Sequence, residues 1–481
     1  MQYHSTRGLS PEVDSAQAVL NGLAPDGGLY LPCTLPAFAW KACIQKDTLG
    51  MAEMILSAFL PDIPDMGALV KKAYTGKFET EALTPTVASG RFHVLELFRG
   101  PTSAFKDVAL SMLPQLMTAA KAAKNDTKDI LILTATSGDT GKAALEGFQD
   151  VPGIRICVFY PHGGVSDVQR RQMVSQEGSN VTVCAVRGNF DDAQTGVKNI
   201  FTACRDKELP VRLSSANSIN IGRLVPQITY YFKSYRDLLD AGRITLGDEV
   251  NFSVPTGNFG DILAGYLAKM LGLPVGKLIC ASNANNVLTD FIRTGVYDRR
   301  RELHKTDSPS MDILVSSNLE RLLYLMSGDS ALVAKLMNQL NTQGYYQVPD
   351  GLLKEIQQQF WAFWCDDSKG AETIARVWKE NGYLCDTHTA SGWAVAEDYV
   401  NQTGDTRPMV VLSTASPYKF PAAVLAAIGE TAKGDEFDQL EQLHGATCVP
   451  IPKNLAALRT KPELHKGVIN KDEMLDYVLA L

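Results

Sequence analysis

No Cys-x-x-Cys pair occurs in the 481 residues, and the nine cysteines are odd in number and scattered between Cys33 and Cys448. That distribution offers neither the ligand spacing of a zinc site nor the even set of a disulfide framework, so no metal is expected and the thiols read as reduced and structural. A run of about 18 uninterrupted apolar residues is also missing. The start, MQYHSTRGLSPEVDS, is polar and lacks an apolar signal core, so a cytoplasmic protein without a membrane partner is expected. Nor is there a basic excess: 46 Lys and Arg against 53 Asp and Glu leave a net charge of −7, which argues against nucleic acid as a partner. Low-complexity tracts and repeats of solenoid period are absent too.

What remains is an ordinary globular composition, 45% hydrophobic and 21% charged, in a chain too long for a single core; two or three packed units are expected. Residues 1–90 read as mixed and mainly helical, with MAEMILSAFL (Met51 to Leu60) the clearest amphipathic piece. Three later stretches each read as a buried strand, a polar loop and a helix. They are DILILTATSGDTGKAALEGF (Asp129 to Phe148), EVNFSVPTGNFGDILAGYLAKMLG (Glu249 to Gly272) and MVVLSTASPYKFPAAVLAAIG (Met409 to Gly429). Further β-rich runs are IRICVFYP, NVTVCAV and KLICASN. Such alternation predicts an α/β architecture with largely parallel sheets and ligands at the carboxyl ends of the strands. The stretch from Glu320 to Ala396 reads as mostly helical, interrupted by the polar LCDTHTASGW (Leu384 to Trp393).

Lys106 is the residue that composition does not explain. It heads the apolar run FKDVALSMLPQLM, in which 106, 110, 113 and 117 (Lys, Leu, Leu, Met) share one helical stripe and 105, 108, 109 and 112 (Phe, Val, Ala, Met) another. A helix apolar on both faces is expected to be buried, and Gly100-Pro101-Thr102-Ser103 supplies a turn and a capping hydroxyl before it. Burial and the positive helix end would both favour a neutral amine, fit to act as nucleophile or base. The alternative is a lysine whose stem covers apolar surface while its head reaches water. PTGNFGD (Pro255 to Asp261) follows a strand and opens a helix, with Gly257 and Gly260 allowing close approach of an anion; it is neither a dinucleotide nor a nucleoside-triphosphate fingerprint. TSGDTG (Thr136 to Gly141) has the same placement and suits a carboxylate or a second phosphate, or is simply a capped helix start. Lys142 is a second candidate lysine, expected to face solvent or a substrate anion. LSTASP (Leu412 to Pro417) ends a strand with hydroxyls. A buried lysine, a phosphate cradle, a carboxylate-sized loop and a neutral hydroxyl together suit pyridoxal phosphate better than a metal or nicotinamide.

These motifs, together with STRG (Ser5 to Gly8), GLAPDGGLYLP (Gly22 to Pro32), GPTSAFKDVAL (Gly100 to Leu110), NSIN (Asn217 to Asn220), SPSMDILVSSNLER (Ser308 to Arg321) and STASPYKF (Ser413 to Phe420), resemble the threonine synthase family in its own order along the chain. The resemblance implies the fold type II architecture of pyridoxal 5'-phosphate enzymes: two α/β domains with largely parallel twisted sheets plus a mainly helical N-terminal region. It divides the chain into 1–90 as that region, 91–125 as the start of the large domain with the lysine helix, 126–215 as a small α/β domain, and 216–481 as the rest of the large domain with C-terminal helical additions. It further implies Lys106 as the Schiff-base lysine; Gly257, Asn258, Phe259, Gly260 and Asp261 as the cofactor phosphate loop; and Thr414 as the hydroxyl at the pyridine nitrogen. Ser137, Gly138, Asp139, Thr140 and Gly141 would hold the substrate carboxylate, with Asn217, Asn220 and Arg223 as further substrate contacts. The implied reaction makes L-threonine and phosphate from O-phospho-L-homoserine and water, in threonine biosynthesis, by a monomer or homo-oligomer. Arg99 departs from the family, which often has His there. That departure keeps open a phospho-lyase releasing a 2-oxo acid. A non-catalytic α/β anion-binding protein is the rival from another class.

Overall fold

In the computed structural model, residues 1–136, 138–204 and 207–481 are described, apart from the side chain of Asp191. The three strand-loop-helix units form where the apolar runs meet Gly or hydroxyl loops: Asp129–Ala135 leads to the helix Asp139–Phe148, and Val250–Pro255 to the helix Gly260–Met270. Met409–Ser413 leads first to a short 3-10 turn, Pro417–Lys419, and then to Pro421–Ala427. Two sheets result. The larger has six strands in the order Phe360–Trp364, Val275–Ser282, Val250–Pro255, Met409–Ser413, Phe92–Glu96, Thr86–Ser89; all its pairings are parallel except the last. The smaller has five parallel strands, Gly467–Asn470, Val181–Arg187, Ile154–Pro161, Asp129–Ala135 and Val211–Ser214. Parallel strands need crossovers and covered faces, which explains the near-continuous apolar runs read from the sequence.

Three differences from expectation have physical causes. Residues 216–481, assigned to the larger unit, send their last strand, Gly467–Asn470, back beside Val181–Arg187 in the smaller sheet; that short, largely exposed edge strand carries no apolar run to announce it. LCDTHTASGW does not interrupt a helix but begins one, Thr387–Thr403, because buried Asp386 accepts the His388 and Thr389 N–H groups as its cap. FWAFW, inside the stretch read as helical, is the edge strand Phe360–Trp364, where aromatic residues favour the pleated conformation. The N-terminal region also contains a three-stranded antiparallel sheet of Val13–Asp14, Gln2–Ser5 and Tyr30–Pro32.

The helix Lys106–Ala123 is buried on both faces through its first three turns, as the doubled apolar stripe predicts. It packs on the helices Ser15–Asn21, Met66–Tyr74 and Asp139–Phe148. Pro114 within it has no N–H to give to the Leu110 carbonyl. At that carbonyl Gly147 of the helix Asp139–Phe148 makes its closest approach: a Cβ on Gly147 would lie 2.0 Å from the Leu110 oxygen. This close crossing ties together the two helices whose first residues are Lys106 and Asp139.

Candidate active site

The turn before Lys106 is built from both ends. Ser103 adopts a left-handed conformation with φ 61°, and Asp107 reaches back to accept the Thr102 N–H at 2.9 Å and the Thr102 hydroxyl at 2.5 Å. Across the turn lies the loop after Met409–Ser413. Phe105 N–H donates to the Thr414 carbonyl at 2.8 Å, and Ser416 N–H to the Ser103 carbonyl at 3.1 Å. Thr414 is thereby set beside Lys106, and its hydroxyl has no protein partner among the described residues.

Lys106 is 8% exposed, its Nζ 4.4 Å from the centre of the Phe105 ring and 3.8 Å from Asp139 Oδ2. Burial lowers its pKa to about 8; Asp139 and Asp107 oppose that shift, and Lys419 and Arg223 add to it. The snorkelling alternative therefore fails, because head and stem are both enclosed.

Asp139 collects four side chains. Lys419 Nζ lies 2.5 Å from its Oδ1, Gln169 donates to the same oxygen at 3.0 Å, and the Ser310 hydroxyl approaches Oδ2 at 3.5 Å; Lys106 is the fourth. Burial pushes the carboxyl upward, yet Lys419 and Lys106 together hold it well below the usual carboxylate range. The rest of this loop is tight: the Thr136 hydroxyl accepts the Gly138 and Gly141 N–H groups at 3.0 and 2.9 Å, and a Cβ on Gly138, at φ 138°, would strike Gln169 at 2.4 Å. Thr140 is half-buried. Ser137, the remaining expected residue of the loop, lies outside the described residues.

The loop after Val250–Pro255 turns at Phe259, which is left-handed at φ 61°, and enters Gly260–Met270. Among the described residues the backbone N–H groups from Gly257 to Ile262 donate to no protein acceptor, which leaves a helix start rich in free donors. Gly257 is pressed against a second loop: its missing Cβ would lie 2.8 Å from the Ser310 carbonyl oxygen, and its own carbonyl accepts the Ser316 hydroxyl at 2.7 Å. The Asn258 carbonyl accepts the Asn318 N–H at 3.1 Å. Asp261 is buried and held through Oδ1 by the Tyr230 and Tyr231 hydroxyls at 2.7 and 2.9 Å, while Oδ2 has no partner. Burial raises its pKa to about 6, and the two tyrosines and Lys106 only partly counter this.

The remaining expected residues are held in different ways. Arg223 is buried, donates to the Ala216 carbonyl at 2.7 Å, and meets no carboxylate among the described residues, with Nε unpartnered; burial lowers its pKa to about 10. A buried cation of that kind calls for an anion. Asn220, by contrast, spends its amide on the fold: it donates to the Val19 carbonyl at 2.9 Å and accepts the Gly222 N–H at 2.8 Å. Asn217 is half-buried, without a side-chain bond among the described residues. Lys142 faces neither solvent nor a free anion site, because it is tied to Glu146 at 2.9 Å and to Gln176. Arg99 is bound by Glu96 at 2.8 Å and Glu79 at 3.1 Å.

Several participants were missed by sequence reasoning. Lys419 sits in a motif quoted for its hydroxyls, three residues beyond them, and its charge was the available signal. Tyr230 and Tyr231 lie outside every motif singled out in the sequence. His388 takes the Ser310 N–H on Nε2 at 3.1 Å and presents Nδ1 to Asp386 at 2.9 Å, so its proton is on Nδ1 and it anchors the loop that covers Gly257.

Comparison with known proteins follows the same motifs. Family models described as "Threonine synthase N terminus" and "Threonine synthase, C-terminal" match residues 2–74 and 389–474. The chain is 41% identical over 434 residues to Threonine synthase-like 1 of Macaca fascicularis, covering 86% of this chain and 58% of that protein, so it spans little more than half of that relative. It is 40% identical over 479 residues to threonine synthase of Pseudomonas aeruginosa, covering 97% of this chain and 98% of that one. The crystal structure of PLP bound threonine synthase from Brucella melitensis superposes with a TM-score of 0.88 at 39% identity, covering 100% of this chain and 99% of that one.

Proposed function

The chain belongs to the threonine synthase family, and from that membership we propose that it converts O-phospho-L-homoserine and water to L-threonine and phosphate with pyridoxal 5'-phosphate as cofactor. The observation that carries this reading is Lys106, an enclosed amine whose pKa burial lowers to about 8 and which acts electrostatically on Asp261 of the free-donor helix start, in a turn bonded through Phe105 to the loop that carries the Thr414 hydroxyl, partnerless among the described residues.

The residues present fit the cofactor. The unpaired N–H groups at the start of Gly260–Met270 suit a phosphate, and Gly257 leaves a space that any Cβ would close against Ser310. Lys106, the loop Gly257, Asn258, Phe259, Gly260 and Asp261, and the Thr414 hydroxyl would hold it. When bound, it supplies an electron sink for charge developing at the substrate Cα.

The chain's own residues account for the rest. Nζ of Lys106 in its neutral form takes the Cα proton of the substrate and returns protons later, a task suited to a group titrating near working pH. The Phe105 ring over that nitrogen limits bulk water around it. Within the loop, where Thr136 already takes the Gly138 and Gly141 N–H groups, the Asp139 and Thr140 N–H groups supply donors, and Arg223 positive charge, for the substrate's anionic groups. The Thr414 hydroxyl would face the cofactor ring without adding a charge. Arg99, the feature behind the lyase alternative, has its guanidinium committed to Glu96 and Glu79, and product identity separates the two readings.

The test is to incubate the purified protein with O-phospho-L-homoserine and identify the organic product by mass spectrometry. Threonine with equimolar phosphate is expected. A 2-oxo acid, or no turnover, would refute the proposal.

A further inference from the structure

Lys419 has no exposed surface, and the chemistry above does not use it. An ammonium so buried is costly unless paired and hydrogen-bonded. Its partners are Asp139 Oδ1 at 2.5 Å and the Thr102 carbonyl at 3.2 Å. Asp139 is thus shared between two amines, with Lys419 in hydrogen-bond contact and Lys106 at 3.8 Å. Thr102 is the residue clamped by Asp107 just ahead of Lys106, so one ammonium steadies both the carboxylate and the turn that carries the reactive amine. The other charged groups acting on Lys106 are Arg223, Asp107 and Asp261; Asp139 additionally meets the neutral Gln169 and Ser310.

We propose that Lys419 is a positioning residue whose ammonium takes up the charge of Asp139, so that the carboxylate orients the Lys106 nitrogen without holding it protonated. The inference rests on the reading that Lys106 carries the cofactor. Its physical basis is a competition. With Lys419 in place, the carboxylate's strongest interaction is satisfied elsewhere. Without it, Asp139 has one cation left to pair with, and Lys106 also loses the repulsion of a neighbouring positive charge. Both changes raise the proton affinity of the Lys106 nitrogen, consistent with the directions in which Lys419 and Asp139 already act on that amine.

The experiment is a pH titration of the visible band of the purified holoenzyme, which reports protonation at the Lys106 nitrogen. Lys419→Met should raise the midpoint by about one pH unit or more, the usual effect of a charge at this range, with kcat falling further than KM changes. Lys419→Arg should stay near wild type. Adding Asp139→Asn to Lys419→Met should bring the midpoint back down, a return that a purely structural role does not produce. An unmoved midpoint in Lys419→Met, or no return in the double variant, would overturn the inference. Should Lys419→Met not fold, Asp139→Asn alone must lower the midpoint, because it leaves Lys419 uncompensated; an unchanged value would be equally fatal. A wild-type protein with no visible band would count against the cofactor reading instead. The inference is then tested by the pH dependence of Lys106 acetylation by acetic anhydride, read by peptide mass spectrometry, where the same upward shift in Lys419→Met is required.

Discussion

Replacing Gly147 by alanine tests whether the crossing of two helices sets the active-site geometry. The new methyl carbon would lie 2.0 Å from the Leu110 carbonyl oxygen and 3.6 Å from Pro114 Cγ. Non-bonded carbon and oxygen need at least about 3 Å, so the helices must part by about 1 Å, and the obstacle is backbone that no rotamer change can move aside. Overpacking of this kind costs about 1–3 kcal/mol, and the backbone clash places Gly147→Ala toward the upper end. The functional consequence should be larger than the stability loss suggests. The two helices begin at Lys106 and Asp139, whose charged atoms are 3.8 Å apart, and a 1 Å misplacement at a reacting group can cost about 100-fold in rate. Urea unfolding followed by circular dichroism, together with kcat on O-phospho-L-homoserine, measures both. Gly445→Ala is the matched control: that glycine lies in the helix Glu436–Thr447 with nothing within 4 Å of its missing Cβ, so alanine there should be neutral or stabilise by up to about 1 kcal/mol. Gly147→Ala behaving like Gly445→Ala in both assays would refute the reasoning.

Lys106→Ala should abolish turnover while leaving far-ultraviolet circular dichroism and the unfolding midpoint near wild type; substantial residual activity would remove the lysine from its assigned role. Gly257→Ala brings a methyl carbon to 2.8 Å from the Ser310 oxygen and should weaken cofactor retention by about tenfold or more, the equivalent of ~1.4 kcal/mol, read by dialysis against cofactor-free buffer; unchanged retention would show that the loop yields freely. Asp261 has its pKa raised to about 6 by burial, so the folded state binds the extra proton. Its favourable contribution is therefore complete below about pH 4 and lost as pH rises through about 6. Asp261→Asn should accordingly gain stability relative to wild type between pH 4 and 7, by as much as roughly 3 kcal/mol. A stability difference that is flat with pH in urea titrations would contradict the raised value.

How much was legible beforehand can be seen residue by residue. The lysine helix was readable because two apolar stripes bracket Lys106, and burial on both faces is a local consequence of 3.6-residue periodicity. The Gly257 loop was readable for a similar reason, since an apolar strand must end before a glycine turn can open a helix. Asn220 was read as a substrate contact, and the sequence held no sign that its amide also caps a helix and binds the Val19 carbonyl, because a capping and a ligand-binding asparagine look alike until their partners are known. Lys142 was expected to face solvent or an anion, and only the neighbouring Glu146 and Gln176 decide otherwise.

The sequence by itself therefore determined the α/β class, the loops at the strand ends and the amine that heads a buried helix, because each depends on patterning within about twenty residues. Tertiary structure decided which charges meet. Lys419 reaches Asp139 across 280 positions and Arg99 is claimed by Glu79 and Glu96, while the last strand, Gly467–Asn470, returns to a sheet begun at Asp129. Coulomb attraction and buried hydrogen bonds act through space and leave no period along the chain, so the setting that lowers the proton affinity of Lys106 exists only once the two sheets and their loops have packed together.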